Sequence, residues 1–195
     1  DALMPTAHHT FGAYAKRKLE KRGLTVRLGQ RVKAVTANRV YLSDDSSIET
    51  NTVVCTVGNA PHPFLKILQE RCDAPFEKGR LKTRPDASVE GVPWLWGAGD
   101  CCYFPHPKEG PCPPTAQFAT RQGKLMGGNI ARRILGEDTK QFQFEGLGEL
   151  ATIGHRTAVA EVKGLRFSGF FAWWLWRPIY LAKLPGVERK ARVLF

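Results

Sequence analysis

Hydrophobic and polar positions along the chain follow two periods, and the changes of period divide it into elements. Over residues 6–22, Phe11, Tyr14, Ala15, Lys18 and Leu19 fall near helical spacing, and Gly23 supplies the stop. Residues 24–28 (LTVRL) alternate as a strand and residues 31–37 repeat the pattern. A further strand is predicted at 40–42, before a turn at Asp44-Asp45-Ser46-Ser47. Residues 52–57 (TVVCTV) are almost continuously apolar, the pattern of a strand buried on both faces of a parallel sheet. That run breaks at Gly58-Asn59-Ala60-Pro61. A short helix is predicted over 63–71, polar extended chain over 79–89, and a second buried strand over 94–100 (WLWGAGD). Beyond a Pro/Gly/Cys-rich loop at 104–114, a long helix over 115–135 stops at Gly136. Strands are predicted at 141–144 and 157–162, followed by an irregular, amphipathic aromatic tail that Pro178 interrupts. The fold class is α/β, without internal repeats.

At 195 residues the chain has room for one sizeable core or two small ones. Its net charge of +11 calls for a partner carrying negative charge, and the location of that charge narrows the choice. From Lys163 onward seven basic residues (Lys163, Arg166, Arg177, Lys183, Arg189, Lys190, Arg192) face one acid, Glu188. The same stretch holds Phe167, Phe170, Phe171, Trp173, Trp174, Trp176 and Tyr180. Cations around clustered indole rings suit a lipid headgroup region, although the cluster also reads as ordinary core. The unbroken apolar run there, from Phe170 to Trp176, is far short of the ~20 residues a spanning helix needs. A nucleic-acid module would interleave bases and aromatics on a groove, whereas here the aromatics form one apolar run, so no nucleic-acid partner is expected. The start at Asp1-Ala2-Leu3, with no Met, basic segment or apolar stretch, reads as the inside of a longer protein. Five cysteines without C-x-x-C spacing read as reduced thiols with no redox or metal role, and His8, His9 and His155 as structural.

Two places could carry chemistry. Gly146-Leu147-Gly148-Glu149-Leu150-Ala151 fits a G-x-G-x-x-A dinucleotide fingerprint, but Ile153-Gly154 breaks any helix after it, and no acid follows at the needed distance. These glycines read as a turn. The second place is a constellation: Gly99-Asp100 at the end of a predicted strand, and Pro113-Pro114-Thr115-Ala116-Gln117 opening the long helix some fifteen residues later. A strand-end carboxylate accepts hydrogen bonds from sugar-like hydroxyls, and a helix N-terminus offers free N–H groups to electron-rich atoms. By itself Asp100 is equally a turn residue or cap, and Gln122 a capping or solvated amide.

The blocks GAGDC, PPTAQFATRQGKLMGGNI, LATIGHRTAVAEVKG and SGFFAWWLWRPIYLAKLPGVERKARV, in that order, resemble the C-terminal blocks of the type II NADH dehydrogenases. The resemblance covers residues 97–193 nearly continuously, and residues 1–61 resemble the end of that family's NADH-binding domain. It implies the C-terminal part of a Rossmann-like flavoprotein with two dinucleotide-binding domains and an amphipathic membrane-surface segment. Residues 1–57 would end the NADH-binding domain, 58–165 continue the FAD-binding domain, and 166–195 form the membrane-associated segment, cut short. The implied reaction carries two electrons from NADH through FAD to a membrane quinone without pumping protons.

Position by position, the resemblance implies that Gly99 and Asp100 meet the FAD ribityl or pyrophosphate region, and that Ala116 and Gln117 turn N–H groups to the flavin pyrimidine edge. Gln117 and Gln122 would face the quinone channel, Gln122 contacting the headgroup. Gly58 to Pro61 would lie where nicotinamide and flavin meet. Phe167 to Leu184 would form the membrane-surface element of a monotopic protein on the cytoplasmic face, with homodimers possible in this family. Where the family often carries a lysine near its A-x-I-G block, this chain has Leu147 and Glu149, and Glu149 is a quinone proton donor by proximity only. Both G-x-G-x-x-G loops lie upstream in the family, so the chain alone is expected to be inactive. A sulfide:quinone oxidoreductase would need cysteines placed against the flavin, unlike Cys101, Cys102 and Cys112. A non-catalytic basic membrane-surface module is the remaining alternative.

Overall fold

The computed structural model describes residues 2–4, 7–56, 58, 60–162 and 164–194. Thr6 at the predicted helix start, Val57 and Asn59 at the end of the apolar run, and Lys163 lie outside them. In chain order the elements begin with α1 (His9–Glu20), β1 (Val32–Val35), β2 (Arg39–Leu42) and β3 (Ser47–Glu49). There follow α2 (Phe64–Arg71), β4 (Phe76–Glu77), β5 (Arg80–Lys82), β6 (Ser88–Val89), β7 (Val92–Trp96), β8 (Cys102–Tyr103) and α3 (Ala116–Ile134). The chain ends with β9 (Glu149–Gly154), β10 (Thr157–Val162), β11 (Leu165–Gly169), α4 (Phe170–Lys183) and α5 (Val187–Leu194).

Two compact units result. The first comprises residues 1–56 and 148–195. Its α1 runs to Glu20, and Gly23, whose φ of 84° places it in the left-handed region, closes the turn that follows. Strands β1, β2 and β3 form one antiparallel sheet, and β9, β10 and β11 another with β10 in the middle. Helix α4 lies on the second sheet through Ala172, Ala158 and Ala160, all fully buried, with Leu150, Phe167 and Trp173 packed around them. Small residues on both surfaces let helix and strand backbones approach closely. Arg22 ties α1 to this sheet, donating from Nη1 to the Ile153 carbonyl (2.6 Å) and from Nη2 to Gly154 (3.0 Å).

The second unit, residues 57–147, holds β4, β5 and β8, the β6–β7 hairpin, α2 and α3. Its core is Leu81, Val89, Val92, Phe104, Phe118 and Phe142. Asn129, 1% exposed on α3, donates to the carbonyls of Asp86 (2.9 Å) and Lys140 (2.7 Å) and accepts from the Lys140 N–H (2.9 Å). These bonds explain why residues 141–144 are ordered without being the predicted strand. Phe142 packs in the core and its N–H goes to the Pro85 carbonyl, so the backbone has partners outside any ladder.

Other predictions are corrected. Residues 24–28 and 52–56 form no regular secondary structure and pair with no described strand, and Val54 is 80% exposed. A continuous apolar run becomes a buried strand only when neighbours flank it, and none of the described strands does. The strand predicted at 94–100 ends at Trp96; it pairs only with β6, and Trp94 is 68% exposed. The tail is not irregular but two helices, and α4 continues through Pro178. One missing hydrogen bond there is offset by the packing of α4 on its sheet. The glycines at 146 and 148 lead into strand β9 rather than a helix, as their reading as a turn expects.

Candidate functional site

After β7 the chain makes a tight turn that glycine alone can supply at two positions. A Cβ on Gly97 would sit 2.5 Å from Cys102 Sγ and 3.1 Å from Leu81 Cδ2. Gly99 has a φ of 76° and opens a single 3-10 turn through Cys101. The Gly99 N–H donates to Gln122 Oε1 at 2.9 Å. Gln122 projects from α3 and is 2% exposed, so a buried amide from the long helix fixes the loop that carries Asp100. Immediately beyond the turn, β8 pairs in parallel with β5, Leu81 opposite Cys102, which brings Arg80 to the same edge.

Asp100 is exposed and lines an open cleft of about 410 Å³ with Gly58, Pro61, His62, Arg80 and Cys101. An adjoining cleft of about 430 Å³ shares Pro61 and Arg80 and adds Tyr103, Pro113 and Pro114. Neither Asp100 nor Arg80 makes an ion pair among the described residues. A carboxylate acceptor and a guanidinium donor therefore line one cleft, and the prolines that precede α3 line the cleft beside it. That donor set fits a ligand carrying both hydroxyl and phosphate groups.

The structure thus gathers Gly58, Pro61 and Asp100 along one cleft, with Gly99 next to Asp100 in the turn and bonded to Gln122. Ala116 and Gln117 begin α3 outside both linings. Gln117 Oε1 accepts from the Leu147 N–H at 3.1 Å, and its carbonyl accepts from the Arg121 guanidinium at 2.9 Å. Gln122, expected from the sequence to face a quinone headgroup, points inward to Gly99. Three lining residues escaped the sequence reading: Arg80, His62 and Cys101. Only the β5–β8 register brings Arg80 to Asp100, and nothing in the polar stretch 79–89 announces that pairing.

Cys101 and Cys102 lie with their sulfurs 3.6 Å apart, the first exposed and the second buried. The hydrogen bond from Cys102 brings the Cys101 thiol down to about 6, while the same bond and burial push Cys102 up. In the other unit Glu149 stands opposite Glu161 across β9 and β10, and burial together with that like charge raises its carboxyl. Among the described residues no group of three or more His, Cys, Asp or Glu could hold a metal.

Comparison with known proteins is consistent along the whole chain. Residues 1–123 match the pyridine nucleotide-disulphide oxidoreductase family, and residues 147–195 match the NDH2 C-terminal domain. The type II NADH:quinone oxidoreductase NdhA of Mycobacterium tuberculosis is 30% identical over all of this chain, which covers 42% of that protein. A mitochondrial internal alternative NAD(P)H-ubiquinone oxidoreductase A1 of Solanum tuberosum is 31% identical over 93% of this chain and 39% of its own length. The chain thus spans about two fifths of the curated relatives it matches. In fold it superposes on NDH2 from Plasmodium falciparum, solved in complex with NADH, with a TM-score of 0.83 at 15% identity, covering 99% of this chain and 55% of that one. With an α/β, Rossmann-like fold and a family-level match to the type II NADH:quinone oxidoreductases, the chain belongs to the pyridine nucleotide-disulphide oxidoreductase family.

Proposed function

We propose that this chain is part of a FAD-dependent enzyme that passes two electrons from NADH to a membrane quinone, contributing the flavin-facing turn and the membrane-surface element. The observation that carries this reading is the exposed Asp100 carboxylate, without an ion pair among the described residues, in the same cleft as Arg80 and on a turn fixed by the bond between Gly99 and Gln122. When bound, FAD supplies the two-electron chemistry. Asp100 accepts hydrogen bonds from ribityl hydroxyls and Arg80 meets the pyrophosphate. The N–H groups of Ala116 and Gln117, at the positive end of α3, favour the electron-rich pyrimidine edge. Gly58 and Pro61 line the approach of the nicotinamide. Gln122 acts through Gly99 as a positioning residue, and half-exposed Gln117 is the amide this reading assigns to a quinone headgroup.

In this reading residues 1–57 close the NADH-binding domain, 58–165 belong to the FAD-binding domain and 166–195 meet the membrane. Support for the last comes from α4, where Phe170, Phe171 and Trp174 are 60%, 52% and 58% exposed. Arg177 lies over the Trp173 ring at 5.6 Å, and Arg189 and Arg192 follow on α5. Aromatic rings with cations beside them match the chemistry of a headgroup layer. Among the described residues no helix is long and apolar enough to cross a membrane, so attachment in this reading is to one surface.

The test uses the longer protein, purified in detergent. Flavin absorbance should bleach on adding NADH and recover on adding a short-chain quinone. A protein without flavin, or one whose reduced flavin ignores quinone, contradicts the proposal.

A further inference from the structure

The vicinal pair Cys101 and Cys102 is not used by the chemistry above, yet it stands at the mouth of the cleft. Cys101 lies exposed on the same wall as Asp100, its Sγ held 3.1 Å from the Ala98 carbonyl. Cys102 Sγ is buried beneath it, packed against Gly97, and only 3.6 Å from Cys101 Sγ. One sulfur is therefore open to solvent, and the second is open only to the first.

We propose that Cys101 and Cys102 form a thiol–disulfide exchange site for small disulfides, with Cys101 the attacking and Cys102 the resolving thiol. The Cys101 thiolate attacks one sulfur of a disulfide RS–SR, forming Cys101–S–S–R and releasing RS⁻. Cys102 then loses its proton and attacks Cys101 Sγ, forming the Cys101–Cys102 disulfide and expelling the second RS⁻. Two protein thiols are oxidised, one RS–SR is reduced to two RSH, and the two thiol protons pass to the two leaving groups. Burial of Cys102 does not oppose the second step, because its target is the adjacent sulfur rather than a solvent molecule. The hydrogen bond and charge from Cys101 that push the Cys102 thiol up both disappear once the Cys101 sulfur is in a mixed disulfide. Neighbouring Cα atoms lie ~3.8 Å apart, closer than the ~4.4 Å lower limit of ordinary disulfides. The resulting ring is strained and readily reopened by dithiols, the behaviour of regulatory rather than structural bridges. Its closure acts on the turn from Gly99 to Cys102, and so couples oxidation to the shape of the cleft.

The test is oxidised glutathione added to the full-length protein at pH 6, followed by acid quench, alkylation and peptide mass spectrometry. Cys101 should react about tenfold faster than exposed Cys55, the margin expected when a low-pKa thiolate outweighs its lower nucleophilicity. The wild type should yield a 101–102 peptide two hydrogens lighter with two glutathiones released, and C102A should accumulate glutathione at Cys101. A stable glutathione adduct on Cys101 of the wild type, or reaction no faster than at Cys55, overturns the proposal. The wild-type measurement decides the matter even where C102A does not fold.

Discussion

The turn from Gly97 to Cys102 and the surface of α4 and α5 are built to opposite rules. In the turn the fixed polar group is satisfied inside the protein: the Gly99 N–H by Gln122, on a backbone that leaves no room for a Cβ at Gly97. On α4 the alanine seam is buried, but Phe170, Phe171 and Trp174 have no comparable cover in their own unit. The turn is thus complete except for its exposed carboxylate, whereas the helices are complete only against something apolar. A small ligand meets the first and an extended surface meets the second.

Substitutions should separate the two regions sharply. Gly97→Val should have the largest effect, destabilising the second unit by about 3 kcal/mol through collision with Cys102 and Leu81, read by denaturant unfolding. Gln122→Ala should cost about 2 kcal/mol, since it opens a buried hole and strands the Gly99 N–H, and it should weaken flavin retention with it. A smaller effect is expected at Asp86, where burial pushes the carboxyl up but hydrogen bonds from Ser88 and Thr139 outweigh it and leave it below the usual range. A depressed carboxyl stabilises the fold above its unfolded pKa of ~3.9 and loses that contribution as pH falls through the folded value. Discounted for solvent screening of a half-exposed carboxyl, Asp86→Asn should cost less than about 1 kcal/mol at neutral pH, with the gap to wild type closing below about pH 4. The triple change of Phe170, Phe171 and Trp174 to Ser should cost about 1 kcal/mol, from the ring contacts with Phe167 and Trp173 that it removes. It should nonetheless abolish sedimentation with anionic lipid vesicles, and unchanged sedimentation would remove the contrast.

Much of the local structure was legible. Helix α3 declared itself through its spacing, its proline-led start and Gly136, and β10 occupies the range predicted for a strand. Strand pairing was not legible where the apolar signal depends on neighbours. Residues 52–56 carry the pattern of a central strand, but with no flanking strand described they lie exposed. Site residues divide along the same line. Asp100 and Pro61 stood out because turns and strand ends have local signatures. Arg80 did not, because only the long-range register between β5 and β8 brings it to the cleft. The inward orientation of Gln122 likewise depends on α3 packing against a turn some twenty residues earlier, which helical spacing alone does not encode.

The most direct test of the central claim is the FAD dissociation constant of the full-length protein with Asp100→Asn, measured by flavin fluorescence. Loss of a charge-assisted hydrogen bond predicts binding weakened about tenfold or more, with the unfolding midpoint of the flavin-free protein unchanged. An Asp100→Asn protein that holds FAD as tightly as the wild type would contradict the account, because the carboxylate held by the Gly99–Gln122 bond would then have no cofactor to meet.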